Sequence, residues 1–206
     1  MKRYFNIFIA AVAVAMMLCG CTKDENKLNT QQTSTVRFLV STHKPRLMSE
    51  EAARESLDNN PLYYTVYNNE TYRYIATMYD EGRDSWTEID EGDKVSIYFT
   101  AYVFTYSSIT SSTMPYWSNR AEVIEALGRT GGGLNPEYWS IEPLVLRAGS
   151  SDVLRGVSQS LVGCREGDEV EVYMTYPAAY GKGSVGTIPD STPVAWLFTI
   201  VNVAKR

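Results

Sequence analysis

The chain has 206 residues, enough for one well-filled domain with an appendage, and at 44% hydrophobic and 21% charged residues it has the composition of a globular protein. With 24 acidic against 19 basic residues and a net charge of −5, it offers no basic footprint for nucleic acid, so that class of partner is set aside. His43 is the single histidine, which leaves nothing from which to assemble a His-rich metal site or a Ser-His-Asp triad.

At the N-terminus, Lys2 and Arg3 precede an apolar run from Ile7 to Leu18, and small residues lead into Cys21, the layout of a secretory signal. As a helix the twelve-residue run reaches only about 18 Å against a hydrocarbon core of roughly 30 Å, so it does not read as a permanent span. Leu18-Cys19-Gly20-Cys21 resembles a bacterial lipobox. That likeness implies that residues 1–20 are removed and that Cys21 is acylated, which would hold the chain on a membrane of the cell envelope. Thr22-Lys23-Asp24-Glu25 resembles a short export signal for surface lipoproteins, although a charged linker reads the same way. With Cys19 removed and Cys21 acylated, Cys164 is the one thiol left, and no intramolecular disulfide is expected.

From residue 21 to 35 the chain is polar, rich in Asn, Gln, Thr and Lys, and reads as a flexible tether. Val36 to Val40 is a strand candidate, and Ser49 ahead of Glu50-Glu51 caps an expected helix of about ten residues. Leu62 to Tyr67 and Tyr72 to Tyr79, separated by Asn68-Asn69-Glu70, predict a hairpin or two strands that meet a larger sheet. Residues 36–90 are therefore expected to be an extension packed on the outer side of a core sheet.

Gly92-Asp93 turns the chain into a run from Val95 to Phe104 that is apolar on both faces, as in a strand covered on both sides. Residues 105–143 form a long insertion holding a helical stretch, Ala121 to Leu127, and they are expected to roof a site. Pro143 to Arg147 predicts a strand, and Ser151 to Leu161 a short helix with Gly163 as its cap. Glu169 to Thr175 alternates with Val170, Val172 and Met174 on one face, and the last strand, Val194 to Val203, turns Val194, Trp196, Phe198 and Ile200 inward. Strands around one short helix make the class α+β with an antiparallel sheet.

The order of pieces from residue 91 to 206 resembles the FKBP family of peptidyl-prolyl cis-trans isomerases. The likeness is carried by Gly92-Asp93-Lys94-Val95-Ser96-Ile97-Tyr98, by Leu144 to Gly149, and by Asp152-Val153-Leu154-Arg155-Gly156. Leu161-Val162-Gly163-Cys164-Arg165-Glu166-Gly167-Asp168, Pro177-Ala178-Ala179-Tyr180-Gly181, and Ile188-Pro189 followed by Val194 to Phe198 continue it. The resemblance implies a curved antiparallel sheet wrapped around a short helix, and rotation about X-Pro amides of proline-containing polypeptides, with no cofactor and no metal.

By the same resemblance, Tyr98, Tyr180 and Trp196 would form the catalytic wall, with the Tyr180 hydroxyl and the Leu154 backbone N–H as donors. Leu144, Val153, Leu154, Val157, Ile188 and Trp117 would contact substrate. The chain departs from the family at three places. Val157 stands where a floor tryptophan is expected, Leu144 where a wall phenylalanine is expected, and Tyr116-Trp117-Ser118-Asn119 replaces a Phe-Asp-x-Ser element and carries no aspartate. These departures keep two alternatives open, an FKBP-fold peptide-binding or chaperone module with little turnover, and a surface lipoprotein that captures a partner or glycan.

Overall fold

Two long runs rich in apolar residues become paired inner strands of the sheet. In a computed structural model that describes residues 23–44, 46–47, 50–129, 134–135, 138–150 and 153–206, β4 (Lys94–Val103) and β8 (Val194–Ala204) pair antiparallel along their whole length. A register shift between Ser96 and Ile97 makes Val201 the extra residue of a bulge, which bends and twists the pair. β7 (Glu169–Met174) pairs with the other side of β8. The Tyr-rich runs form a hairpin, β2 (Tyr63–Tyr67) and β3 (Thr71–Ile75), and β3 pairs antiparallel with β7. β1 (Arg46–Leu47) lies parallel at one edge, while β5 (Trp117–Ser118) and β6 (Leu144–Arg147) both pair with β4 at the other. The result is an α+β fold with one eight-stranded, almost wholly antiparallel sheet.

Against one face of this sheet lies α4 (Arg155–Leu161), whose Val157 and Leu161, one turn apart, are fully buried with Val95, Ile97, Phe99, Ala101 and Trp196. The approach is close because Gly156 has no side chain: a Cβ there would sit 2.5 Å from Met174 Cγ and 2.7 Å from Thr71 Oγ1. The helix end is held by the buried Arg73 guanidinium, which donates to the carbonyls of Ser160 (3.1 Å) and Val162 (2.7 Å). The helix begins at Arg155 rather than Ser151, and residues 151–152 lie outside the described residues.

The other face is covered by a helix, α1, described over residues 23–42. This overturns the flexible tether expected at 21–35 and the strand expected at Val36 to Val40. The stripe that α1 buries is Gln31, Thr35, Phe38 and Leu39, a helical spacing in which two of the four side chains are polar. A search for apolar residues passes over such a stripe. Its polar members are satisfied inside the fold: Thr35 donates to the Gln31 carbonyl at 2.8 Å, and the Gln31 amide bonds the core domain. Phe38 packs edge-on against Phe104 at 5.0 Å and against Tyr173 at 5.3 Å. That cover explains why Tyr173, on the opposite face of β7 from Val172, is buried.

The helix expected after Ser49 shortens to α2 (Glu50–Arg54), which buries Ala53 before Leu57 emerges fully into solvent. Loop 77–88 is pinned to the start of β7 by a two-pronged pair in which Arg83 Nε and Nη2 each donate to Asp168 at 2.7 Å. Thr77 adds a third bond to the same carboxylate at 2.9 Å. Cys164, fully buried, has its thiol pushed up to about 11 by burial and donates to the Ser160 carbonyl at 3.1 Å. No helix among the described residues is long and apolar enough to cross a membrane. Residues 1–20 and Cys21 lie outside the described residues.

Candidate functional site

An aromatic stack grows out of the inner face of β4 and β8. Trp196 is 0% exposed and lies parallel to Phe99, ring centres 4.4 Å apart. Trp117 of β5 meets both edge-on, at 4.7 Å from Phe99 and 5.5 Å from Trp196. Above them sits Tyr116, whose backbone N–H donates to Ala101 at 2.9 Å and whose hydroxyl accepts the indole N–H of Trp196 at 2.7 Å. Tyr180 donates a long hydrogen bond, 3.4 Å, to the same Tyr116 oxygen. Burial, then the neighbouring Tyr180, raises the Tyr116 phenol far above its ordinary range, and burial raises Tyr180 too. Both stay neutral at physiological pH and keep their protons to donate.

The insertion that carries Tyr116 is fixed at both ends by one side chain. Asn119, 4% exposed, accepts the Phe99 N–H at 2.7 Å and donates to the carbonyls of Ile97 (2.9 Å) and Glu142 (3.0 Å). The Trp117 indole donates to the Tyr138 carbonyl at 2.8 Å, which brings residues 138–139 over the stack. The outcome is a cleft of about 360 Å³ whose walls include Tyr116, Trp117, Tyr138, Trp139, Tyr180 and Ile188. A larger cleft of about 580 Å³ lies elsewhere, beside α2 and loop 79–88. Its lining mixes Arg83 and Arg165 with acidic residues, and both arginines are engaged in ion pairs, with Asp168 and Glu88. The aromatic cleft is the better candidate, because an apolar wall with a few fixed donors suits a small ligand group.

Of the residues expected at the site, Tyr180, Ile188 and Trp117 are brought together in this cleft. Leu144, Val153 and Leu154 are half-buried and pack on the same core cluster. Ser158 N–H donates to the Leu154 carbonyl at 3.1 Å, so the Leu154 amide stands ahead of the first helical turn, where N–H groups have no intrahelical acceptor. Val157 and Trp196 do not line open space, since both are 0% exposed, and Trp196 is capped by Tyr116. Tyr98 is misplaced by one residue. It alternates with Ile97 and Phe99, which face α4, so it lies on the opposite face of the sheet, paired with Thr199. Phe99, without a hydroxyl, takes the inward position.

The same alternation turns Ile97, Phe99 and Ala101 toward the helix. A strand apolar on both sides gives no indication of which set points in. The insertion also divides: Tyr116, Trp117, Tyr138 and Trp139 wall the cleft, but α3 (Ala121–Arg129) lies on the other side of the sheet. There Arg120 donates to Thr199 at 2.7 Å, and Val123 shares a second groove with Tyr102 and Leu197. Phe99, Tyr116, Tyr138 and Trp139 were not singled out from the sequence, although Tyr116-Trp117 stood at the position of the missing aspartate element.

The chain matches the family model described as FKBP-type peptidyl-prolyl cis-trans isomerase over residues 85–201, more than half its length. Among solved structures it is similar to the three FKBP domains of wheat FKBP73, with 14% identity and a TM-score of 0.49 over 69% of this chain and 52% of that one. It is also similar to the N-terminal domain of FKBP42 from Arabidopsis thaliana, with 12% identity and a TM-score of 0.47 over 73% of this chain and 96% of that one. The chain thus spans about half the length of the wheat protein. No curated protein matches it.

Proposed function

Because the chain belongs to the FKBP-type peptidyl-prolyl cis-trans isomerase family, we propose that its aromatic cleft binds proline-containing segments of exported polypeptides and speeds rotation about the X-Pro bond at the cell envelope. The barrier to that rotation, about 18–20 kcal/mol, comes from amide resonance. It falls when the carbonyl is stripped of water in an apolar cleft while a few donors hold the peptide. No nucleophile takes part. The observation that carries the reading is the half-buried Tyr180 hydroxyl at the cleft, bonded to Tyr116 by no more than a 3.4 Å contact. Tyr116 keeps its bond from Trp196 when Tyr180 turns away, so the Tyr180 hydroxyl can donate a hydrogen bond to a substrate carbonyl at little cost.

The envelope location rests on the signal-like run before Cys21, and lipid attachment at Cys21 is part of the same reading. Palmitate labelling that disappears in Cys21→Ser supports it, and labelling that persists overturns it. Protease accessibility on intact cells decides between a surface-exposed and an inward-facing domain.

A second reading, a peptide-holding module with little turnover, is favoured by one observation: the floor indole, Trp196, is sealed beneath Tyr116. A protease-coupled assay on proline-containing peptides separates the two. Catalysis above buffer that falls in Tyr180→Phe supports the isomerase. Peptide binding with a rate equal to buffer leaves the holding module, and neither binding nor catalysis rejects both.

A further inference from the structure

The wall of the cleft that carries Tyr180 and Ile188 is a loop running from Tyr176 to Ser191. One side chain from outside the family-matched region joins both of its ends. Gln31 of α1, 4% exposed, accepts the backbone N–H of Tyr176 on Oε1 at 2.9 Å and donates from Nε2 to the carbonyl of Ser191 at 2.9 Å. Both anchor residues are 7% exposed. One anchor is a donor and the other an acceptor, so a neutral carboxamide alone among side chains of this length matches both, and its orientation is set without ambiguity. Ser191 sits at φ 48, a left-handed conformation that a serine holds under constraint, and its own N–H closes the loop onto Gly181 at 3.1 Å. The exposed ion pair of Asp24 with Lys182 attaches the same helix to the loop's tip, though a surface pair of this kind adds little.

We infer that Gln31 is a positioning residue for the cleft: through this amide, the N-terminal helix sets the spacing of the two ends of the loop that presents Tyr180 and Ile188. The consequence for peptide affinity rests on the function proposed above, whereas the clamp itself can be read in the free protein. A residue in α1 thereby governs a site it does not touch, and whatever loosens α1 near Gln31 loosens the prolyl wall.

The test uses the full chain and three variants. Gln31→Met keeps the side-chain volume and removes both bonds. Gln31→Glu keeps the acceptor for Tyr176 and loses the donor to Ser191. Leu39→Ala weakens the far end of the same helix and serves as the control for general loosening. In amide hydrogen exchange, Gln31→Met should speed exchange at Tyr176, Gly181 and Ser191 by about tenfold or more, and Gln31→Glu by less. Leu39→Ala should leave those three amides near wild type. Titration with an Ala-Leu-Pro-Ala peptide should then show a loss of about 3–10-fold in affinity for Gln31→Met and under about twofold for Leu39→Ala. Unchanged loop exchange in Gln31→Met, or an equal effect from Leu39→Ala, overturns the inference. A wild-type chain that binds no prolyl peptide defeats the functional proposal alone, and the exchange data still decide whether Gln31 clamps the loop.

Discussion

The indole N–H of Trp196 and the hydroxyl of Tyr116 meet at 2.7 Å, and this bond closes the floor of the cleft. The indole is fully buried and has one N–H to satisfy, so the tyrosine from the insertion is its polar outlet. The two residues lie 80 positions apart, which makes the bond a direct link between the insertion and the family-matched core.

Removing that outlet should cost stability. Tyr116→Phe leaves the indole N–H buried without an acceptor, a loss of about 1–3 kcal/mol. Denaturant unfolding followed by tryptophan fluorescence checks it, and a midpoint equal to wild type at unchanged slope would show that the bond is not needed.

Restoring a floor tryptophan should not restore activity. Val157 is 0% exposed among the core side chains, so Val157→Trp forces extra volume into a filled site and should destabilise by about 1–3 kcal/mol or more. The expected readout is a lower thermal midpoint with no gain in the protease-coupled rate. A stable variant with a higher rate would mean that the core beneath α4 can open.

Tyr180 and Trp196 should separate binding from folding. Tyr180→Phe removes one half-buried donor at the cleft and should weaken prolyl-peptide binding by about 0.5–1.5 kcal/mol, roughly 2–10-fold, with an unchanged unfolding midpoint. Trp196→Ala removes the centre of the aromatic stack and should cost about 3–5 kcal/mol of stability. Calorimetric titration beside denaturation distinguishes the two patterns, and a Tyr180→Phe protein that binds as tightly as wild type takes the hydroxyl out of the site.

The C-terminus carries an acid-sensitive latch. Asp93 accepts Lys205 Nζ at 2.6 Å, the Asp90 N–H at 2.8 Å and the Arg206 N–H at 3.0 Å. The Lys205 bond first, then the two amides, hold its carboxyl below the ordinary 3.8. Since the folded value is the depressed one, this stabilisation is complete above the unfolded value and is lost as pH falls through the folded value. Asp93→Asn should therefore flatten the decline of stability as pH falls below about 4, measured by denaturant midpoints at successive pH values. A variant that declines as steeply as wild type would place the acid sensitivity elsewhere.

What could be read from the chain alone was whatever depends on local order. β7 shows a period-two alternation, and β8 carries Val194, Trp196, Phe198 and Ile200 at the same spacing. The turn and loop motifs around Gly149, Gly163, Tyr180 and Ile188 fall in the order of one family, so the placement of Tyr180 and Ile188 followed from that resemblance. Tertiary structure decided the rest, because it turns on partners far away in sequence. β4 is apolar on both faces, and only its packing on α4 shows that Phe99, not Tyr98, points inward. Residues 23–42 carry a buried stripe that is half polar, and it becomes helical cover because Tyr176 and Ser191, about 145 and 160 residues away, satisfy Gln31. Val157 stands where a floor tryptophan is expected, and only the packing shows that it is fully buried among the core side chains.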